Sequence, residues 1–153
     1  MNIRLRPARK QHAELLTAIQ VEAFSDQVKQ YDFPPPGYDS VEYQIESMKK
    51  YRYFVIQAGG EIVGGAIVNR LKRNVCYLLR IFIHSAWQGK GLGTQTMRLL
   101  EKKFPFVKEW QLDTPYLSYQ NQRFYEKLGY QKIGETEKEN NGFFCLIYKK
   151  RVS

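Results

Sequence analysis

Gln88-Gly89-Lys90-Gly91-Leu92-Gly93-Thr94 is the stretch whose residue types and spacing point most directly to chemistry. It follows a long apolar run, residues 75–83, and leads into a segment where Gly93, Met97, Leu100 and Phe104 fall on one helical face. When a strand feeds such a turn and a helix starts directly after it, the first-turn N–H groups of the helix lack intrahelical partners. They sit at the positive end of its dipole. Glycine removes the Cβ atoms that would keep an anion away from the backbone. By mechanism the pattern is a pyrophosphate cradle. Two other phosphate loops do not fit: G-x-G-x-x-G needs glycine where Thr94 stands, and G-x-x-x-x-G-K-[ST] does not occur.

The cysteines offer less. Cys76 and Cys145 each lie in an apolar stretch, and neither has a histidine neighbour within its strand, so neither is read as a nucleophile. Two distant cysteines are simplest as free thiols in a reducing compartment, which places the chain in the cytoplasm. No apolar run approaches the roughly 18–20 residues of a membrane span. The opening Met1-Asn2-Ile3-Arg4-Leu5-Arg6 has no apolar core of a secretory signal. A formal charge of +9 favours anionic partners. The basic residues are spread out (Arg4, Lys29, Lys49, Arg70, Lys90, Lys108, Lys132, Lys149) with no dense block, so no nucleic-acid partner and no membrane partner is expected.

The elements that position the loop follow from period and punctuation. The length of 153 residues, with 43% hydrophobic and 25% charged, suits one globular domain over 1–153. Residues 3–6 alternate as a short strand. Residues 11–24 carry Leu15, Ile19 and Phe24 near helical spacing, and three prolines force a loop over 30–38. Asp39 with Glu42 fits a capping box opening a second helix through Val41, Ile45 and Met48. Residues 51–58 and 61–72 form a hairpin across Gly59-Gly60, and 75–83 add a third strand after Arg73-Asn74. Beyond the glycine-rich loop and its helix, 109–114 form a strand, 118–128 a helix ended by Gly129, and 130–133 with 143–149 a last pair across Asn141-Gly142. The order β-α-α-β-β-β-α-β-α-β-β makes a mixed α/β sheet with helices on both faces. The crossover through the glycine loop predicts that strands 75–83 and 109–114 are parallel.

In this setting Gln88-Gly89-Lys90-Gly91-Leu92-Gly93 resembles the acetyl-CoA motif of the GNAT superfamily, Gln/Arg-x-x-Gly-x-Gly/Ala between a central strand and a helix. Phe124-Tyr125-Glu126-Lys127-Leu128-Gly129-Tyr130 resembles the family's F-Y-E-K-L-G-F. The resemblance is sharp over residues 75–130 and loose before 51. It implies a GNAT-like fold with splayed central parallel strands and transfer of an acetyl group from acetyl-CoA to a primary amine by direct attack.

Carried over residue by residue, the resemblance gives Ile81 and Ile83 backbone groups that pair with the pantetheine arm. Gln88, Gly89, Gly91 and Gly93 then offer N–H groups to the pyrophosphate, with the Thr94 hydroxyl and with Lys90 and Lys127 reaching other phosphates. Phe124 belongs to the second motif, and Tyr125 matches the tyrosine that protonates the departing thiolate. Two positions depart from the family. Ser118 stands where many members have a cofactor-contacting Asn, and Asn121, one turn nearer, is the substitute. No carboxylate lies within 75–83, where some members place a general base. Asp113 at the end of the following strand is the candidate, with a water relay through Glu22 or Glu42 as the alternative; His84 lies where the family commonly has a non-catalytic residue. A base is needed because an alkyl ammonium with a pKa near 10 holds its lone pair out of reach at neutral pH. No metal is implied.

The donor is open to other acyl-CoA species, and a non-catalytic acyl-CoA sensor has the same cofactor loop. The acceptor, a small molecule or a protein amine, falls to the variable first half, above all Tyr31, Phe33, Pro34, Pro35, Pro36 and Tyr38. Aminoglycosides, polyamines, amino acids and protein amines all remain open, as does assembly into a homodimer.

Overall fold

The computed structural model describes residues 2–152. The chain divides into two compact units, one running to Val68 and including Arg80–Lys103, the other made of Asn69–Leu79 and the chain from Phe104 onward.

The first unit begins with β1, Ile3–Pro7, and a short turn of helix at Lys10–His12. It continues through α1 (Ala13–Ala23), α2 (Ser25–Tyr31) and α3 (Val41–Lys50), then β2 (Arg52–Ala58) and β3 (Glu61–Lys72). β1 and β3 both pair antiparallel with β2. The Gly59-Gly60 turn has φ of 57° and 86°, the left-handed pair that a tight hairpin requires. β4 (Val75–Ile83) ends in this unit and passes through a short helical turn, Ser85–Trp87, to α4 (Leu92–Lys103). Leu16, Ile19, Tyr53, Val55, Ile67 and Phe82 form the core between the helices and these strands.

Three expectations are corrected here. A second helix precedes the proline loop: α2 runs to Tyr31, and Asp32 with φ of 50° ends it just before the Phe33-Pro34 step, where proline disfavours helical backbone. The cap of α3 is Ser40, not Asp39: its hydroxyl accepts from Tyr43 N at 3.1 Å, leaving Glu42 outside any capping box. The buried face of α4 is Leu92, Thr96, Met97 and Leu100, with Gly93 only half-buried and Phe104 beyond the helix end.

The second unit holds the start of β4, β5 (Glu109–Pro115), α5 (Tyr119–Lys127), β6 (Gln131–Glu135) and β7 (Cys145–Arg151). β4 and β5 are parallel, with register Val75↔Glu109 to Leu78↔Leu112, as the crossover predicts. β7 pairs antiparallel with both β5 and β6. The ladder order is β1-β2-β3-β4-β5-β7-β6, a mixed seven-stranded α/β sheet. Trp110, Leu112 and Tyr148 are its most buried large side chains. The last strand starts later than expected, because Phe143 and Phe144 are spent on packing: Phe144 stacks on Tyr116 at 4.5 Å and its carbonyl accepts from Tyr116 N.

Candidate functional site

The glycine-rich loop lies in the first unit. Gly89 and Gly91 have φ of 74° and 79°, a region that side-chain-bearing residues rarely adopt. A Cβ built on either meets nothing within 4 Å, so the glycines answer to backbone conformation and leave open space above the loop. Gln95 N makes the first intrahelical bond of α4, to Gly91 O at 3.1 Å. The N–H groups of Leu92, Gly93 and Thr94 therefore precede the ladder at the open, positive end of the helix. No acidic residue lies in that first turn. An open cradle, unladdered N–H groups and the absence of a repelling carboxylate fit a pyrophosphate. Gln88 does a different job: its backbone N donates to Ser85 O, and its Nε2 donates to Ile83 O at 2.8 Å, folding the loop back on the end of β4. Lys90 is exposed.

Ile81 and Ile83 sit in the last turns of β4, held close against β3. A Cβ on Gly64 would stand 2.0 Å from Phe82 O, and one on Gly65 would collide with the Phe82 ring, so only glycine allows this approach. His84 N donates to Val63 O at 2.8 Å and closes the contact. The two glycines went unread in the sequence, where Gly64-Gly65 inside a strand was the available signal.

Glu22, at the end of α1, reaches the start of the loop. Its Oε1 accepts from Ser85 N at 2.8 Å and its Oε2 accepts from the Ser85 hydroxyl. These bonds, the hydroxyl's first, hold its carboxyl below the ordinary value, with His84 adding to them against a small cost of burial. His84 Nδ1 lies 3.7 Å from the same carboxylate and accepts from Ala86 N, so both groups are engaged in shaping the loop. Glu42 is exposed on the first turn of α3.

The second unit holds Asp113, Asn121, Phe124, Tyr125 and Lys127. Asp113 is exposed near the end of β5, and its Oδ2 accepts from the Tyr77 hydroxyl at 2.5 Å. The Cys145 thiol is pushed up to about 12 by burial first and by the Asp113 carboxylate second. It stays a thiol, in line with its exclusion as a nucleophile. Tyr125 is buried against Phe124 and Tyr130, with ring centroids 5.1 and 5.8 Å away. Burial, and then the charge of Asp113, raise its phenol above the usual value, so it keeps its proton throughout the physiological range. Asn121 is exposed, with Nδ2 3.4 Å from Thr114 Oγ1, and Lys127 is exposed on the last turn of α5. Tyr77 was not singled out from sequence, and Cys145 was read there only as a free thiol, not as a neighbour of Asp113. The signal was the parallel register: Tyr77 faces Gln111, which puts Asp113 two residues on and on the same face.

Among the described residues no group of three or more His, Cys, Asp or Glu side chains stands together to hold a metal, and no helix is long and apolar enough to cross a membrane.

Known proteins share this fold. The crystal structure of the PaiA N-acetyltransferase from Thermoplasma acidophilum in complex with coenzyme A matches with a TM-score of 0.80 at 18% identity, covering 99% of this chain and 100% of that one. The ribosomal-protein-S18-alanine N-acetyltransferase from Escherichia coli matches with a TM-score of 0.79 at 16% identity, over 99% and 95% of the two chains. At such identities the likeness is one of fold. In sequence, the chain is 28% identical over 110 residues to the uncharacterized N-acetyltransferase YjgM of Escherichia coli (strain K12), a match over 69% of this chain and 65% of that protein's length. The family model of the acetyltransferase (GNAT) domain matches residues 49–132. With that match over more than half of its length, the chain belongs to the GNAT acetyltransferase family.

Proposed function

We propose that the chain, residues 1–153 acting as one domain in the cytoplasm, is an N-acetyltransferase that moves an acetyl group from acetyl-CoA to a primary amine by direct attack. The observation that carries the reading is the loop at the head of α4: two glycines at positive φ with open space above them, and first-turn N–H groups outside the ladder. Acetyl-CoA supplies an activated thioester. The N–H groups of Gly89, Gly91 and Gly93, with the Thr94 hydroxyl, hold its pyrophosphate, and Gln88 braces the turn through Ile83 O. Lys90, Asn121, Phe124 and Lys127 are the outer contacts of this reading. The backbone at Ile81 and Ile83 pairs with the pantetheine arm and polarises the carbonyl. Asp113 accepts the amine proton and Tyr125 returns one to the leaving thiolate, so the charge on each departing group is met by a positioned acid or base.

Calorimetry with acetyl-CoA, followed by thiol release in the presence of amines, tests this. Saturable binding at micromolar concentration with amine-dependent thiol release is expected. Binding without release for any amine would leave a sensor, and no binding would remove the cofactor reading.

A further inference from the structure

Arg80, on β4, is a half-buried cation surrounded by neutral groups. Its side chain lies on the same strand face as Phe82, which is 3% exposed in the core. Its guanidinium stands 5.9 Å from the centroid of the Phe24 ring and 5.5 Å from that of Tyr43. It donates to Gln20 Oε1 at 2.9 Å and to the Pro36 carbonyl at 2.8 Å. Gln20 is itself fully buried, fixed by Gln44 and Tyr53: its Nε2 donates to Gln44 Oε1 at 2.6 Å, and the Tyr53 hydroxyl donates to the same oxygen. No ion pair among the described residues involves Arg80. Burial holds its pKa below the ordinary value, with Tyr43 and Tyr53 opposing the shift.

A guanidinium partly withdrawn from water gains from an anion, because its desolvation is costly and neutral acceptors return only part of it. Bracing the proline loop requires hydrogen-bond donors, not a charge. A guanidinium carries five N–H donors in a planar fork, and the named contacts leave some of them unused. The next residue is Ile81, whose backbone the acetyltransferase reading sets against the thioester. An anion seated on Arg80 therefore brings the group attached to it beside that backbone. The cage residues Gln20, Phe24, Pro36, Tyr43 and Tyr53 bring no second cation, so its charge matches a monoanion and repels a polyamine.

Building on the acetyltransferase reading, we propose that Arg80 binds the carboxylate of the acceptor, so that the amine acetylated is one carrying a carboxylate, as a free amino acid does. The Gln20–Gln44–Tyr53 network is the buried frame that aims the fork, and the Phe24 and Tyr43 rings line the cation.

The test measures thiol release with acetyl-CoA and alanine, methionine, phenylalanine and glutamate, each beside its α-carboxamide, with spermidine as a carboxylate-free amine. For the best acceptor, kcat/KM is expected to exceed that of its amide at least about tenfold, the scale of one lost charged hydrogen bond. Arg80→Gln should bring acid and amide within about threefold by loss on the acid alone, and Arg80→Lys should restore part of the difference. Amides or spermidine turned over as well as the acids would overturn the inference while the acetyltransferase reading stands. An equal loss on acid and amide in Arg80→Gln, with the fold intact by circular dichroism, would also overturn it by showing a bracing role. The comparison of acid and amide in the unaltered protein holds even where the variants fail to fold. Failure to bind acetyl-CoA would instead sink the parent reading and this one with it.

Discussion

The Tyr77 hydroxyl donates to Asp113 Oδ2 at 2.5 Å, joining the start of β4 to the end of β5 on one strand face. The phenol is raised by burial and by that carboxylate, so it remains the donor at every working pH. The bond occupies one carboxylate oxygen and fixes the orientation of the Asp113 side chain on β5. If Asp113 takes the amine proton, Asp113→Asn should lower kcat about tenfold or more near pH 7. The loss should shrink toward pH 10, where free amine exists without help. Tyr77→Phe, which removes the bond but leaves the carboxylate, should cost less than Asp113→Asn. A loss of the same size at all pH values in both variants would assign the pair to structure alone.

The glycine-rich loop makes a sharper prediction. Gly91→Asp places a Cβ and a negative charge in the open space above the loop, so acetyl-CoA affinity should fall at least tenfold, about 1.4 kcal/mol. Gly142 is the control: with φ of 88° and equally open surroundings, Gly142→Asp brings a similar backbone strain into a surface turn. Calorimetry on the two variants should therefore separate them, with Gly142→Asp binding as the unaltered chain does. Equal affinities in both would detach the loop from the cofactor.

Glu22 is the anchor that α1 lends to this loop. Its carboxyl is held below the ordinary value of 4.5, so its contribution to stability is fully present above that pH and is lost as pH falls through the lowered folded value. Glu22→Gln keeps the shape but weakens the grip on Ser85, and the melting temperature at pH 7 should drop by about 2–4 °C. Below pH 4 the gap between variant and unaltered chain should narrow. A constant gap across the acid range would mean that the charge of Glu22 is not what holds Ser85.

What the sequence disclosed and what it hid divide by range. The hairpin at Gly59-Gly60 and the strands 61–72 and 75–83 were readable because a left-handed turn and an apolar run are local demands. The glycine-rich turn before α4 was readable for the same reason. α2 was not, since Ser25–Tyr31 offers only Val28 and Tyr31 at helical spacing, too little to give a period. Asp39 and Ser40 are both competent caps, and only the geometry of Tyr43 N chooses between them. The Tyr77–Asp113 bond needed the β4–β5 register, and the frame around Arg80 needed α1, the proline loop, α3 and β2 at once. Long-range polar contacts of this kind leave no periodic trace.

Tyr125 carries the last prediction. Expulsion of CoA produces a thiolate, which leaves readily only if a proton or a hydrogen bond meets it. Tyr125 lies on α5 as a buried side chain, 7% exposed, and its phenol is kept protonated by burial and by the charge of Asp113. A donor raised this far never loses its proton at neutral pH, though it is also a weaker acid than a phenol in water. Its value lies in position: positioned acid catalysis is worth about 10²–10⁴-fold in rate. Tyr125→Phe keeps the ring contacts with Phe124 and Tyr130 and removes only the hydroxyl. The turnover number should fall at least tenfold while the dissociation constant of acetyl-CoA stays within about twofold. Full turnover in the variant would make Tyr125 a packing residue and leave solvent as the proton source. Loss of acetyl-CoA binding together with turnover would move the hydroxyl's role from the leaving group to the bound thioester.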